Sequence, residues 1–131
     1  MPAEFSPRAP DVAEFRGLRA AARMSDFGAE ATEISLANTL HGVWLRDGAR
    51  LVGMARLIGD GGAFTQVVDV AVHPEYQGQG HGHRIIEALM GWADANLPRG
   101  AYISLIADPG AERLYASHGF SHRTGMARTV P

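Results

Sequence analysis

The sequence has no cysteine, and each of its 12 basic residues is arginine, so lysine is absent as well. Without cysteine the chain cannot form a disulfide bond, a thiolate zinc site or a cysteine nucleophile, and it suits a reducing compartment. Any covalent catalysis would need another nucleophile. The lack of lysine supports no functional conclusion, because arginine and lysine both solvate well on a protein surface.

Long apolar runs and a strong excess of one charge are absent too. No run approaches the roughly 18 apolar residues of a membrane-spanning helix, and the proline-punctuated N-terminus lacks the pattern of a secretory signal. The 14 acidic and 12 basic residues give a formal net charge of −2. This balance disfavours nucleic acid or an anionic membrane as the main partner. We therefore expect a cytoplasmic protein that binds neither.

The composition is that of a folded domain. Of the 131 residues, 46% are hydrophobic and 20% are charged, which is ordinary for a globular protein. A chain of this length forms one hydrophobic core, and no repeat or linker divides it. A single domain over residues 1–131 is expected.

Apolar residues recur at helical spacing in four places. Asp11 is a candidate N-cap for a first helix that ends between residues 25 and 28, and a weaker helix follows through residues 34–40. The strongest pattern predicts a helix over residues 82–96. A short helix at residues 111–117 would stop at Gly119.

Extended apolar runs predict strands at residues 43–46, 51–58, 64–72 and 102–107. Short turns, including Asp47-Gly48, join the first three strands and predict an antiparallel meander whose third and most apolar strand is central. The long helix after the meander predicts a crossover to a parallel fourth strand. The tail at residues 120–130 could return as an edge strand. The fold class is therefore α/β (α+β), with a mixed central sheet.

Glycine occupies every second position, 78, 80 and 82, in the segment that joins the apolar strand to the long helix. Backbone N–H groups can approach a ligand closely at such a turn, and the unpaired donors of the helix N-terminus favour phosphate oxygens. A connecting turn without a ligand is the alternative. A dinucleotide fingerprint does not suit a preceding antiparallel meander, and a Walker loop is excluded because no Gly-Lys-Ser/Thr is present.

Residues 70–82, Val-Ala-Val-His-Pro-Glu-Tyr-Gln-Gly-Gln-Gly-His-Gly, resemble motif A of the GNAT N-acetyltransferase superfamily, whose turn reads Gln/Arg-x-x-Gly-x-Gly/Ala. Residues 111–120 resemble that family's Ala-x-x-Leu-Tyr-x-x-x-Gly-Phe motif. The resemblance extends to the order of elements over essentially the whole chain. It implies one GNAT domain that transfers acetyl from acetyl-CoA to a primary amine by direct attack, without a covalent enzyme intermediate.

The same resemblance implies how acetyl-CoA binds. The main chain of Val70, Ala71 and Val72 would pair with the pantetheine arm, and Gln77 would open the turn. The next backbone amides would bind the pyrophosphate; they belong to Gly78, Gln79, Gly80, His81, Gly82 and His83.

Two catalytic residues are predicted. The family places a tyrosine beside the sulfur, which makes Tyr115 the candidate acid for the leaving thiolate; a packed aromatic is the alternative. Asp69 lies in an apolar run where a lone carboxylate is costly to bury, which makes it the candidate base. A surface or arginine-paired aspartate is the alternative. The chain lacks the glutamate that some relatives carry after the long helix, so Tyr76, His73 or solvent also remain candidates.

Other features of the sequence are less specific. Asp108 stands where many relatives have asparagine, and it either keeps a polar contact or caps the next helix. The spacing of the six histidines matches no zinc template, so no metal is expected.

The acceptor is expected to be a small-molecule amine or a peptide N-terminus. Trp44, Arg56 and Phe64 are candidates to line its site, between the N-terminal helices and the strand of Asp69. The alternatives to an enzyme are a non-catalytic CoA-binding regulatory module and a protein-association domain with a structural glycine turn. A homodimer is common in the resembled family.

Overall fold

A computed structural model describes residues 2–131 of the chain. Its strands are β1 (Glu4–Ser6), β2 (His41–Asp47), β3 (Arg50–Gly59), β4 (Phe64–Val72) and β5 (Tyr102–Ser104). Its helices are α1 (Val12–Ala21), α2 (Ala29–Ala37), α3 (His81–Asn96) and α4 (Glu112–Ala116), and a 3-10 turn spans Pro74–Tyr76.

The five strands form one mixed sheet in the order β1-β2-β3-β4-β5. β1 to β4 pair antiparallel, whereas β5 pairs parallel to β4 after the α3 crossover. Gly48 takes a left-handed backbone (φ 60°) in the tight turn between β2 and β3, as a two-residue hairpin requires. The predicted mixed α/β fold, with a meander and a parallel crossover, is confirmed.

Helices cover the sheet on both faces. α3 packs on one face, where Leu45, Leu57, Ile85, Ile86 and Leu89 are fully buried. α1 packs on the other face, where Phe15 and Leu18 contact a cluster around Trp44, Leu51 and Met54. The sheet is therefore the middle layer between two apolar clusters.

The sheet contains one strand, β1, that the sequence pattern did not predict. The third strand of the meander, β4, lies inside the sheet between β3 and β5, and because β1 adds a neighbour to β2, the middle strand is β3. β3 is accordingly the most completely buried strand. With only three residues, β1 is too short to show a period.

The tail does not form the edge strand that was considered for residues 120–130. Residues 121–131 have no regular secondary structure and are exposed, with Met126 at 91%. β5 is shorter than predicted and ends at Ser104, so little straight edge is offered to the tail.

α1 ends earlier than the sequence pattern predicts. Arg23 adopts a left-handed backbone (φ 61°), and the amide of Met24 donates to the carbonyl of Arg19 at 2.9 Å. The amide of Arg23 also donates to the carbonyl of Ala20, which completes a Schellman end to the helix. Among residues 2–131, no helix is long and apolar enough to cross a membrane.

Replacing Leu89 with alanine tests the contribution of the α3 face to stability. Leu89 is fully buried, so Leu89→Ala should lower the free energy of unfolding by about 2–5 kcal/mol. Ile34→Ala is the matched control, since Ile34 is 60% exposed and its loss should cost roughly 0.5 kcal/mol or less. Urea unfolding followed by circular dichroism measures both. Equal losses for the two variants would contradict this packing.

Candidate functional site

The turn between β4 and α3 exposes its backbone. Gly78 and Gly80 both take left-handed φ angles, 77° and 84°. A Cβ atom added at either glycine would meet no other atom within 4 Å. These glycines are therefore required by the turn conformation, and they leave open space in front of the backbone.

Backbone donors without acceptors line this open space. Within residues 2–131, the amides from Gly78 to His83 donate to no backbone or side-chain acceptor. The first helical bond runs from the amide of Arg84 to the carbonyl of Gly80 at 3.2 Å. The first turn of α3 also carries no acidic side chain that would cancel its partial positive charge. A row of free donors at a helix N-terminus suits phosphate oxygens.

Hydrogen bonds attach the start of this turn to the sheet. Gln77 Nε2 donates to the carbonyl of Val72 at 2.9 Å, and the amide of His73 donates to the carbonyl of Val52 at 2.7 Å. His81, the first residue of α3, is buried, with its Nδ1 3.0 Å from Arg84. The turn therefore leaves the end of β4 in a fixed direction.

The second half of β4 has a free edge. β5 pairs with β4 only at Phe64, Thr65 and Gln66. Beyond Gln66, the described part of the chain places no strand beside β4 on that side, while β3 continues to pair on the other. Val70, Ala71 and Val72 lie along this free edge, immediately before the turn with the unpaired amides.

Asp69 lies where β4 is bulged. Its backbone is left-handed (φ 58°), and its side chain is only 8% exposed. One carboxylate oxygen accepts from Arg56 Nε at 2.7 Å and the other accepts from Arg19 Nη1. This geometry matches the arginine-paired alternative, and the assignment of Asp69 as base stays a prediction.

Tyr115 lies on α4, half-buried against the α3 side of the core. Its ring contacts Phe120 edge-on, with ring centroids 6.1 Å apart. Burial, and secondarily the negative charge of Asp108, raise the pKa of the Tyr115 phenol above its ordinary value. The phenol therefore stays protonated across the neutral range and can only donate its proton there.

α4 is held close to the start of α3. A Cβ atom added at Gly82 would lie 3.5 Å from Leu114 Cδ2, one residue before Tyr115. His83 Nδ1 and His118 Nε2 are 3.3 Å apart across the same junction. The structure therefore brings the amide row and the helix of Tyr115 together, although about thirty residues separate them in sequence.

The other two candidate bases belong to a separate polar cluster. Tyr76 OH donates to Asp47, and this hydrogen bond raises the pKa of the Tyr76 phenol. Arg50 Nη2 lies 3.1 Å from His73 Nε2 and 2.9 Å from Glu75 Oε2. The described contacts of Tyr76 and His73 do not include Tyr115.

Sequence reasoning missed Arg19, the partner of Asp69. Arg19 follows Phe15 by one helical turn on the apolar face of α1, and an arginine on that face was an available signal. Trp44 and Arg56, suggested for the acceptor site, are buried in the α1 side of the fold, whereas Phe64 is 67% exposed. Residues 2–131 contain no group of three or more metal-ligating side chains.

A cavity of about 830 Å³ lies between β5, α4 and the tail. Tyr115 lines this cavity, but none of the free amides does. The amide row instead faces an open surface. A site that spans the two would combine an exposed phosphate end with a partly open cavity at Tyr115.

Comparison with known proteins identifies the class to which this fold and site belong. Residues 39–122 match a family model described as an acetyltransferase (GNAT) domain, which covers both predicted motifs. The chain belongs to the GNAT acetyltransferase family, as the two motifs predict.

Individual relatives show how far the similarity extends. An uncharacterised ycf52-like N-acetyltransferase of Prochlorococcus marinus is 39% identical over 83 residues, which are 61% of this chain and 44% of that protein. The chain spans less than half the length of the curated relatives it matches.

Solved structures match nearly the whole chain. Protein SA2161 of unknown function from meticillin-resistant Staphylococcus aureus superposes with a TM-score of 0.92 at 39% identity, covering 98% of this chain and 99% of that one. The ribosomal-protein-S18-alanine N-acetyltransferase of Escherichia coli gives a TM-score of 0.76 at 20% identity, covering 93% and 79%. The latter comparison shows the shared fold alone.

The environment of Tyr115 can be tested by titration. Its phenol should titrate above the ordinary tyrosine value of about 10, because burial and Asp108 both disfavour the phenolate. Asp108→Asn should lower this pKa without returning it to the ordinary value, since burial is the larger cause. NMR of 13C-labelled tyrosine measures the shift, with Tyr102→Phe and Tyr76→Phe assigning the signals. An unchanged Tyr115 pKa in Asp108→Asn would contradict the charge contribution.

Proposed function

We propose that the chain is an N-acetyltransferase that moves an acetyl group from acetyl-CoA to a primary amine. The observation that supports this most is the continuity of two unsatisfied backbone surfaces. The free edge of β4 leads, through the turn of residues 73–77, to the row of free amides from Gly78 to His83. An amide-containing arm that ends in a pyrophosphate has the chemistry to satisfy both.

The proposed binding mode assigns a role to each surface. The amides from Gly78 to His83 would donate to the pyrophosphate, aided by the α3 N-terminus. The main chain of Val70, Ala71 and Val72 would pair with the pantetheine amides, like an added strand. The open space in front of Gly78 and Gly80 supports this fit, because no side chain has to move to admit phosphate.

When bound, acetyl-CoA supplies a thioester whose acetyl carbon bonds to the amine nitrogen while the carbon–sulfur bond breaks. We propose that Tyr115 gives a proton to the departing thiolate, and that its phenolate regains one from the nitrogen as that nitrogen becomes the neutral amide. The phenol is protonated throughout the neutral range, as an acid must be, and the raised pKa keeps it so. No nucleophilic side chain is needed.

We propose that the proton of the acceptor ammonium leaves to water. The polar atoms of Asp69, Tyr76 and His73 already contact other side chains or backbone groups. To accept the proton, any of these three side chains would first have to break one of these contacts.

The acceptor is proposed to be a small amine or a peptide N-terminus. The fold neighbour from Escherichia coli bears a name that assigns it to the alanine of ribosomal protein S18. At 20% identity, this neighbour only makes a peptide N-terminus worth including beside small amines.

We also propose that the chain works in the cytoplasm as a homodimer. Tyr102 and Ile106, on and just beyond β5, are 47% and 64% exposed, and a second copy could cover them. Light scattering coupled to gel filtration tests this; a single species of monomer mass at working concentration would contradict it.

The phosphate role can be tested at Gly80. Gly80→Ala places a methyl group in the open space and forces a left-handed backbone on alanine, so affinity for acetyl-CoA should fall about 10- to 100-fold as phosphate hydrogen bonds weaken. Gly100→Ala is the matched control, with φ 87° and no atom near its added Cβ. Isothermal calorimetry with acetyl-CoA measures both. No binding to the unmodified chain at millimolar ligand would overturn the donor assignment.

The acid role can be tested at Tyr115. Tyr115→Phe keeps the packing against Phe120 and removes the proton, so kcat should fall about 100-fold while the KM for acetyl-CoA changes little. Thiol release with a panel of small amines and peptides measures turnover. A full rate in Tyr115→Phe would remove the acid assignment. Binding without turnover on any amine would favour the non-catalytic module instead.

A further inference from the structure

We propose that Asp69 is a positioning residue rather than the general base. Its carboxylate links the segment of residues 25–39, which contains α2, to the bulge of β4. One buried ion-pair cluster therefore positions both the free edge of β4 and this segment. This inference rests on the proposed acetyl transfer for its kinetic readout, but its structural basis does not depend on that activity.

The bulge lies immediately before the residues of the free edge. In the register of β3 with β4, Met54 pairs with Ala71 and Arg56 pairs with Val68, so two residues of β4 face one of β3. The extra residue takes a left-handed backbone at Asp69, a conformation that aspartate tolerates better than most residues. A bulge bends its strand and increases the local twist, which here redirects β4 from Val70 onward.

The carboxylate of Asp69 is satisfied within the protein. Both oxygens are engaged, one by Arg19 Nη1 and the other by Arg56 Nε at 2.7 Å. The side chains of these three residues are between 6% and 9% exposed. Removing one partner from such a cluster leaves a buried charge uncompensated. Accepting a substrate proton would require an ion pair to break.

Arg19 and Arg56 each also donate hydrogen bonds to groups in or beside α2. Arg19 also donates from Nε and Nη2 to the carbonyl of Ser25, at 3.0 and 2.7 Å, in the segment between α1 and α2. Arg56 donates from Nη1 to the carbonyl of Ser35 at 3.0 Å and to Thr39 Oγ1 at 2.8 Å, at the end of α2. Ser25 is therefore attached to β4 through Arg19 and the carboxylate of Asp69. Ser35 and Thr39 are attached to Arg56 of β3, which the same carboxylate holds.

This attachment explains why a charged aspartate is placed inside an apolar strand. The segment of residues 25–39 has few buried side chains of its own, since Thr32 is the buried residue of α2. The ion pairs supply a fixed position that apolar packing there does not. We expect the segment of residues 25–39 to become more mobile when the carboxylate is neutralised. The amide row beyond the bulge should keep its position, because Gln77 still contacts Val72.

The test compares Asp69→Asn with Arg19→Met. Both should raise the amine KM, lower kcat/KM for the amine about tenfold, and speed amide hydrogen exchange in residues 23–39 about tenfold. The double variant should be no worse than Asp69→Asn alone, because Asp69→Asn already removes the link through Arg19. Arg16→Met is the matched control on α1: its ion pair with Asp26 is exposed, and its kinetics and exchange should stay within about twofold.

Two results would overturn the inference. If Asp69 were the base, Asp69→Asn would lose kcat by about 100-fold or more with unchanged exchange, and Arg19→Met would keep its rate. Unchanged exchange in both variants would also refute the link. Should Asp69→Asn fail to fold, Arg19→Lys and Arg19→Met give the same exchange comparison. If the unmodified chain acetylates no amine, the proposed function fails, whereas the exchange results still decide this inference.

Discussion

The parting of β4 from β5 after three residue pairs is the constraint on which the rest of the site depends. Unpaired backbone groups are tolerated only where water or a ligand reaches them, so the free edge of β4 has to face an opening. β5 contributes to this opening by ending at Ser104, and the bulge at Asp69 contributes by redirecting the second half of β4. The sheet is continuous at one end and open at the other.

The open end of the sheet presents backbone donors rather than charged side chains. The free amides of Gly78 to His83 and the α3 dipole provide positive potential without a lysine or an exposed arginine cluster. Backbone donors need no side-chain ordering when a ligand arrives, because β4 and α3 already fix them. The proposed phosphate site is therefore compatible with a chain of net charge −2.

Features that are local in sequence could be predicted. The alternating glycines, the helical stripe of α3 and the stop at Gly119 each depend on a few neighbouring residues, and the structure has all three. Features that depend on distant contacts could not be predicted. β1 is defined by its pairing with β2, about forty residues later, and its three residues carry no period of their own.

Asp69 shows the same limit within the site. The sequence indicated that a carboxylate in an apolar run must be paired, wet or functional, but its partners lie 13 and 50 residues away in sequence. No local pattern distinguishes these cases. The arginine on the apolar face of α1 was the one clue, and it is informative only once α1 is known to lie over β4. The prediction of an edge strand in the tail was wrong for a similar reason, because its pairing would depend on how far β5 extends.

The junction of α3 and α4 explains why the two sequence motifs occur together. At Gly82 an added methyl group would just reach Leu114, and a larger side chain would push α4 away. Because Tyr115 follows Leu114 directly, the size of the residue at position 82 affects the distance between the amide row and the phenol. The exposed loop of residues 108–111 has few buried contacts with which to set this distance. A small residue at the start of α3 therefore suits both proposed roles, because it opens the backbone to phosphate and lets the helix of the proposed acid pack close by.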